Sequence, residues 1–147
     1  MSILKVKLVR EGAQLPKRET PGSAGHDLRA CITEDIVIPA GGSVRMPTGI
    51  AIEMENANYV AIIASRSSMA YKYGIAMGNG IGVIDSDYRG EISVFLRNNS
   101  DTDFVVHPGD RVAQLLLMPV DLPEIVEADE LSETQRGAGG FGSTGRA

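Results

Sequence analysis

The sequence predicts an all-β fold, a barrel or jelly roll of short strands with at most one short helix. Three observations carry this. Short runs rich in β-branched residues recur along the chain, and Gly, Pro, Asn and Asp separate them. No window shows a long apolar stripe at the helical period of 3.6 residues. Strands and turns alternate without helical crossovers between them, which argues against a parallel α/β sheet.

The elements follow in order. "KVKLV" (Lys5 to Val9) alternates as a half-buried strand does, and "DLRACI" (Asp27 to Ile32) and "DIVIP" (Asp35 to Pro39) come next. "SVRMPTGIAIEM" (Ser43 to Met54) is one long extended run with a Pro-Thr-Gly interruption, and "NYVAIIA" (Asn58 to Ala64) is strongly apolar. "SRSSMAYKYG" (Ser65 to Gly74) has room for a turn or two of helix. "GVID" (Gly82 to Asp85), "EISVFLRN" (Glu91 to Asn98), "FVVHP" (Phe104 to Pro108) and "RVAQLLLMPV" (Arg111 to Val120) complete the strands. "IVIPAGGSVRMPTG" and "FVVHPGDRVAQLLL" both read strand, Pro-Gly-type turn, strand. Two hairpins of a double-sheet roll look like this, and convergent turn chemistry explains it equally well.

After Pro119 the pattern weakens. "VDLPEIVEADELSETQ" reads as one short strand and then a surface strap. Within it "EADELSE" (Glu127 to Glu133) is either a solvated strap or an acidic docking surface for a regulatory protein partner. From Arg136 the chain reads "RGAGGFGSTG". Glycine loses much entropy on ordering, so this segment is expected to be a flexible arm that orders against a ligand. The chain therefore divides into a β domain, residues 1–135, and an arm, residues 136–147.

The totals agree. The chain has 147 residues and 43% hydrophobic residues, which suits one domain with a real core. No apolar run is long enough to cross a bilayer, and the N-terminus lacks the features of a signal peptide, so a cytoplasmic setting is expected. The single cysteine, Cys31, excludes an internal disulfide and a multi-Cys zinc site, and is expected to be a buried spectator on a strand. Fourteen Lys and Arg against nineteen Asp and Glu give a net charge of −5. That argues against a general grip on nucleic acid but not against a small anion held by a few arginines.

Several constellations carry chemistry. In "GVIDSDYRGE" (Gly82 to Glu91), Asp85, Asp87, Arg89 and Glu91 alternate and would share a face in extended chain. Asp85 follows the apolar Val83 and Ile84, at the mouth of the core, where a carboxylate can orient or deprotonate a water. A charged hairpin turn, with Arg89 paired to its neighbours, fits the same pattern. "SRSSMA" (Ser65 to Ala70) follows an apolar strand. Arg66 can bind phosphate oxygens bidentately, and Ser67 and Ser68 can add hydroxyl donors. The alternative is a capped turn that needs no ligand. No G-x-S-x-G is present, so this is not a serine hydrolase pattern.

Gln114 is a polar amide ahead of three leucines and needs a partner, either a neighbouring strand or a ligand phosphate. Asp110 and Arg111 read as a turn with a local ion pair. Asp27, in "AGHDL" (Ala24 to Leu28), can hold a metal-bound water, cap a turn or pair with an arginine. In the arm, glycines free N–H groups for phosphate, Ser143 and Thr144 add hydroxyls, Arg136 adds charge, and Phe141 can cover a base. No G-x-x-x-x-G-K-[ST] occurs, so a P-loop reading fails.

Taken together, "AGHDL", "SRSSMA", "GNGIGVIDSDYRGEI" (Gly78 to Ile92), "GDRVAQLLL" (Gly109 to Leu117) and "RGAGGFGSTG" resemble the five motifs of the homotrimeric dUTP diphosphatases, in the family order. The resemblance spans nearly the whole chain, and the third and fifth motifs are highly specific. It implies a distorted jelly-roll, a β-clip barrel, and hydrolysis of dUTP to dUMP and pyrophosphate, limiting uracil in DNA and supplying dUMP for thymidylate synthesis. It implies that Asp85 holds the water that attacks the α-phosphorus. Asn79 and the hairpin through Gly82, Val83 and Ile84 would read the uracil edge in a pocket too cramped for a 2′-hydroxyl or a thymine methyl, with Tyr88 beneath the deoxyribose. Arg66, Ser67, Ser68 and Gln114 would bind phosphates. Arg136, Ser143 and Thr144 would hold the outer phosphates, with Gly142 beside them and Phe141 stacked over uracil. Magnesium would ride on the phosphates without direct protein ligands, Asp27 reaching it through water. Each site would be shared by three subunits: one supplies the first, second and fourth motifs, another the third, and another the arm.

Two positions depart from the family pattern. His26 stands where an aromatic is usual, which raises a pH question if it packs near another subunit. Ser68 and Met69 stand where glycine and leucine are common. The nearest rival is a dCTP deaminase of related fold, which would release ammonia from the base. A different class is a nucleotide-sensing binding module that contacts a regulatory partner.

Overall fold

Eleven strands and one helix follow one another through the described part of the chain, residues 2–142, 144 and 145, in the computed structural model. The order is β1 (Leu4–Leu8), β2 (His26–Arg29), β3 (Ile36–Ile38), β4 (Ser43–Pro47), β5 (Ile50–Met54), β6 (Tyr59–Ala64), α1 (Ser67–Tyr73), β7 (Ile75–Met77), β8 (Gly82–Ile84), β9 (Ser93–Asn98), β10 (Phe104–Val106) and β11 (Arg111–Pro119). No helix among them is long and apolar enough to cross a membrane.

The strands pair antiparallel in four sheets, with orders β1-β5, β3-β10, β2-β11-β6-β8 and β4-β9-β7. These sheets do not join into a closed barrel among the described residues, so the barrel expectation gives way to a predominantly β fold with one short helix. The reason lies at the corners. The run Ser43 to Met54 is broken at Gly49, which has φ 71°, so β4 pairs with β9 while β5 pairs with β1. A Cβ on Gly49 would stand 2.6 Å from Ala13 Cβ and 2.8 Å from Cys31 Sγ. Only glycine fits both that dihedral and that space.

The two echoing segments are not hairpins. β3 and β4 lie in different sheets, as do β10 and β11, and β3 instead pairs with β10 in the register Val37 to Val105. Cys31 lies beyond the end of β2, half-buried, with Sγ 3.4 Å from the Glu11 carbonyl, and not in a buried strand. β7 was not anticipated: three residues are too few to show a period. After Pro119 no strand forms among the described residues, and residues 121–138 are exposed. Pro123 interrupts the segment, and its exposed residues meet no buried strand edge to pair with.

The core draws on every sheet: Leu28, Ile38, Ile50, Ile63, Leu96 and Leu115 are each no more than 1% exposed. Burying a side chain of this size contributes about 1.5–3 kcal/mol. In β9 the period of two is clean, with Val94, Leu96 and Asn98 inward and Phe95 outward. The buried Asn98 donates from Nδ2 to the carbonyls of Ile38 (3.0 Å) and Thr102 (2.8 Å) and accepts from Ser100, so its polar atoms are satisfied and it ties β9 to β3. α1 ends at Gly74, whose φ of 69° allows its N–H to return to the Ala70 carbonyl.

Candidate active site

Two clefts hold most of the residues singled out above. The first lies where β6 hands over to α1. Gly25, Asp27, Arg66, Ser67, Ser68 and Gln114 line a cleft of about 480 Å³, with Glu19 at its rim. Strand register builds it: on β11, Gln114 stands opposite Asp27 of β2 and Ala64 of β6. Asp27 Oδ1 accepts from Arg66 Nε at 2.9 Å, and Asp27 Oδ2 accepts from Arg111 Nη1 at 3.3 Å. Arg66 is therefore fixed from behind. Gln114 Nε2 donates to the Ser65 carbonyl at 2.9 Å, which is the structural partner this amide needs. A Cβ on Gly25 would stand 2.2 Å from Gln114 Oε1, so the turn before β2 needs glycine to leave that amide in place.

The capped-turn alternative for this segment is not realised. Arg66 occupies the N-cap position and no side chain caps α1. Ser67 and Ser68 are exposed on the cleft, while Ser65 Oγ accepts from the Met77 amide at 2.8 Å and serves the fold. The expected local pair of Asp110 and Arg111 is also corrected. Asp110 Oδ2 accepts from the His107 amide, and Arg111 bridges Glu19 (2.8 Å) and Asp27. Arg111 starts β11, and the pairing of β11 with β2 brings it within reach of Asp27. His26 lines a separate pocket with Leu4, Val6 and Leu15, and its Nδ1 is buried without a hydrogen-bond partner.

The second cleft, about 230 Å³, is lined by Arg45, Val83, Ile84, Asp85, Tyr88 and Glu91. Asp85 follows the last residue of β8 directly and is exposed, so it stands in the cleft and not at the mouth of the core. The Tyr88 amide donates to the Asp85 carbonyl at 3.1 Å, closing a tight turn. That turn ends the alternation expected of Asp85, Asp87, Arg89 and Glu91, which do not form one strand face. Arg89 Nη1 donates to the carbonyls of Ser86 (2.8 Å) and Tyr88 (3.2 Å), bracing the turn. Tyr88 Oη donates to the Glu91 carbonyl at 3.0 Å. A Cβ on Gly90 would stand 2.4 Å from that hydroxyl, so the ring has its place because Gly90 has no side chain.

Asn79 is exposed in the turn between β7 and β8, and Gly82 packs so closely on β6 that a Cβ would stand 3.0 Å from Ile63 Cβ. Glu91 accepts from both Arg10 and the Gly49 amide, which hold its carboxyl below the usual range, Arg10 most strongly. Arg10 and Glu19 lie outside every motif, so nothing in the sequence drew attention to them.

The two clefts share no lining residue, and no described residue of the arm lines either of them. Arg136 Nε donates to the Gly139 carbonyl at 2.8 Å, within its own turn. Phe141 is fully exposed with φ 52°, Gly142 has φ 88°, and Thr144 is exposed; Ser143 lies outside the described residues. One chain thus brings together Asp27, Arg66, Ser67, Ser68 and Gln114, and separately Val83, Ile84, Asp85 and Tyr88. Among the described residues it brings together neither the two groups nor the arm and either group. Among the described residues no three His, Cys, Asp or Glu side chains cluster to hold a metal ion.

The dUTPase family profile matches residues 11–145. The deoxyuridine 5'-triphosphate nucleotidohydrolase of Desulfitobacterium hafniense is 50% identical over an alignment of 149 residues that covers 99% of each chain. Among solved structures, the Staphylococcus bacteriophage 80alpha dUTPase with dUpNHpp superposes with a TM-score of 0.89 at 26% identity, covering 98% of this chain and 99% of that one. A dUTPase variant from phage phi11 of S. aureus, described with a structural Mg(II) ion, has a TM-score of 0.80 at 23% identity, covering 89% and 99%, a likeness of fold.

Proposed function

The chain belongs to the dUTPase family, and we propose that its two clefts are the phosphate and nucleoside halves of one composite site, completed when copies of the chain assemble. It is a hydrolase that splits dUTP into dUMP and pyrophosphate. The observation that carries the proposed site is Arg66. Its guanidinium is pinned by Asp27 beside two exposed serines and an amide, a donor set suited to a polyphosphate, while the exposed carboxylate of Asp85 stands in a different cleft of the same chain. A chain that separates phosphate donors from the base of the reaction needs a second copy to join them.

In this reading Arg66, Ser67, Ser68 and Gln114 hold the phosphates, and Asp85 of another subunit orients the water that attacks the α-phosphorus. Phosphoanhydride hydrolysis asks mainly for alignment and charge neutralisation, which fixed arginine and amide donors supply. Asn79, Gly82, Val83 and Ile84 present backbone to the uracil edge, and the Tyr88 ring lies beneath the deoxyribose. The arm, residues 136–147, closes over the bound nucleotide with Arg136, Gly142, Ser143 and Thr144 on the outer phosphates and Phe141 over uracil. The assembly is a homotrimer of distorted jelly-roll, β-clip domains in the cytoplasm.

The donor set also fits magnesium carried on the phosphates. Both oxygens of Asp27 are engaged by arginines, which leaves it a role through water and not as a direct ligand. When bound, the ion screens charge on the phosphate oxygens.

The test is product analysis. Incubate the protein separately with dUTP, dCTP, dTTP and UTP, with and without magnesium, and separate the products by chromatography. Magnesium-stimulated dUMP and pyrophosphate from dUTP alone is the expected result. A deaminated product from dCTP moves the function to the related deaminases, and binding of dUTP without turnover makes the chain a sensing module.

A further inference from the structure

Glu91 is held by a residue that no motif contains. Arg10 lies just past β1, where the Val9 amide donates to the Gly49 carbonyl at 2.8 Å and fixes the backbone against the β4–β5 corner. From there its guanidinium spans both carboxylate oxygens of Glu91, Nε on Oε1 and Nη2 on Oε2 at 2.9 Å. The Gly49 amide adds a third donor, at 3.0 Å from Oε1. Two parallel N–H bonds from a planar guanidinium fix the carboxylate in orientation as well as position.

The main chain of Glu91 is held at the same point. The next residue, Ile92, donates from its amide to the Ile50 carbonyl at 2.8 Å and accepts from the buried hydroxyl of Thr48 on its own carbonyl. The Glu91 carbonyl is the acceptor for Tyr88 Oη. The aromatic ring of the nucleoside cleft therefore takes its tilt from a peptide whose side chain is clamped by Arg10. On the side of Gly90 the ring has no room to move, because it already fills the space that a Cβ there would need.

We infer that Arg10 is a positioning residue for sugar selection: through Glu91 it fixes the Tyr88 ring against which a 2′-hydroxyl is tested. The inference rests on the reading of this cleft as the nucleoside half of the site. Arg10 itself is half-exposed, reaches the cleft only through Glu91 and touches no substrate in that reading. Removing it leaves the carboxylate with a single neutral donor, so the Glu91 carbonyl is held through Ile92 alone and the ring bonded to it has more room to shift. Small displacements of a positioning group are costly in selectivity because discrimination depends on close fit.

The experiment compares kcat/KM for dUTP and UTP in the wild-type protein, Arg10→Ala and Arg10→Lys. In Arg10→Ala the dUTP-to-UTP ratio falls about tenfold, with KM for dUTP rising more than kcat falls. Arg10→Lys, which keeps the charge and loses the fork, lies between the two. A strap that acts only on stability changes the active fraction and not this ratio, so an unchanged ratio in both variants overturns the inference. The route is checked in Tyr88→Phe, where the hydroxyl link is absent. There Arg10→Ala leaves the ratio unchanged; if the two effects multiply instead, Arg10 does not act through Tyr88. A wild-type protein that turns over no dUTP overturns the reading of the cleft and the inference with it. Normal wild-type turnover with an unchanged ratio overturns the inference alone.

Discussion

Asp27 and Arg66 meet at 2.9 Å although 39 residues separate them, and side chains of both are mostly buried, 11% and 19% exposed. The pair orients the guanidinium that lines the first cleft, the proposed phosphate half of the site. Asp27→Asn keeps the shape and removes the charge shared by Arg66 and Arg111. We expect kcat/KM for dUTP to fall about 10- to 100-fold, by analogy with the loss of groups that orient a site residue, and stability to fall by about 1–3 kcal/mol. Steady-state kinetics and a urea melt measure the two. Full activity in the variant contradicts the orienting role.

Asp85 is the second test. Asp85→Asn removes the negative charge and basicity of the carboxylate proposed to orient the water, while preserving size, so turnover should drop by at least about 10²-fold with nucleotide affinity nearly unchanged. Calorimetry with a non-hydrolysable dUTP analogue, beside the rate assay, separates binding from chemistry. Retained turnover removes Asp85 from the mechanism.

The fold class was legible because it rests on patterns that local sequence carries. β9 alternates cleanly, β6 is apolar throughout, and turn residues separate them. What sequence left open depended on partners distant along the chain. Gly49 splits one extended run into β4 and β5 because Ala13 and Cys31 crowd it, and neither neighbour is visible locally. The echoing Pro-Gly turns looked like hairpins, but β3 finds β10 across the molecule. Asp27, Arg66 and Gln114 stand out in their motifs, and strand register brings them to one cleft. That Arg111 turns to Glu19 and Asp27, and that Arg10 clamps Glu91, followed only from register and proximity.

The arm gives a third prediction. Residues 121–138 are exposed and Arg136 donates to the Gly139 carbonyl within its own turn, so the described residues of the arm brace little of the domain. Deleting residues 136–147 should leave an assembly of unchanged size and thermal stability, with activity reduced by about 10²-fold or more if the arm is the proposed cover over the phosphates. Sedimentation and kinetics report both. Dissociation of the assembly makes the arm a structural strap.

The acid limb of stability should carry the mark of Glu91. Hydrogen bonding from Arg10, and then from Gly49, depresses its carboxyl below the ordinary 4.5 against the opposing effect of burial. A depressed carboxyl stabilises the fold at pH values above the ordinary one and loses that contribution as pH falls through the depressed value. Stability should therefore hold down to about pH 5 and decline below it, and Glu91→Gln should lower the plateau and flatten the decline. His107 behaves with the opposite sign. Its hydrogen bond to Asp35 raises it above 6.5, so its contribution is present below that value and fades as pH rises through the raised one. The pair is exposed and screened, so Asp35→Asn should change the melt little. Chemical denaturation from pH 3 to 8 tests both signs.

The most direct test of the mechanism follows an oxygen atom. Run the reaction to completion with magnesium in water enriched in ¹⁸O, then analyse the dUMP and the pyrophosphate by mass spectrometry. Attack on the α-phosphorus by a water held at Asp85 places the label in dUMP and leaves the pyrophosphate unlabelled. Label in pyrophosphate, with dUMP unlabelled, means that water attacks the β-phosphorus and contradicts the account.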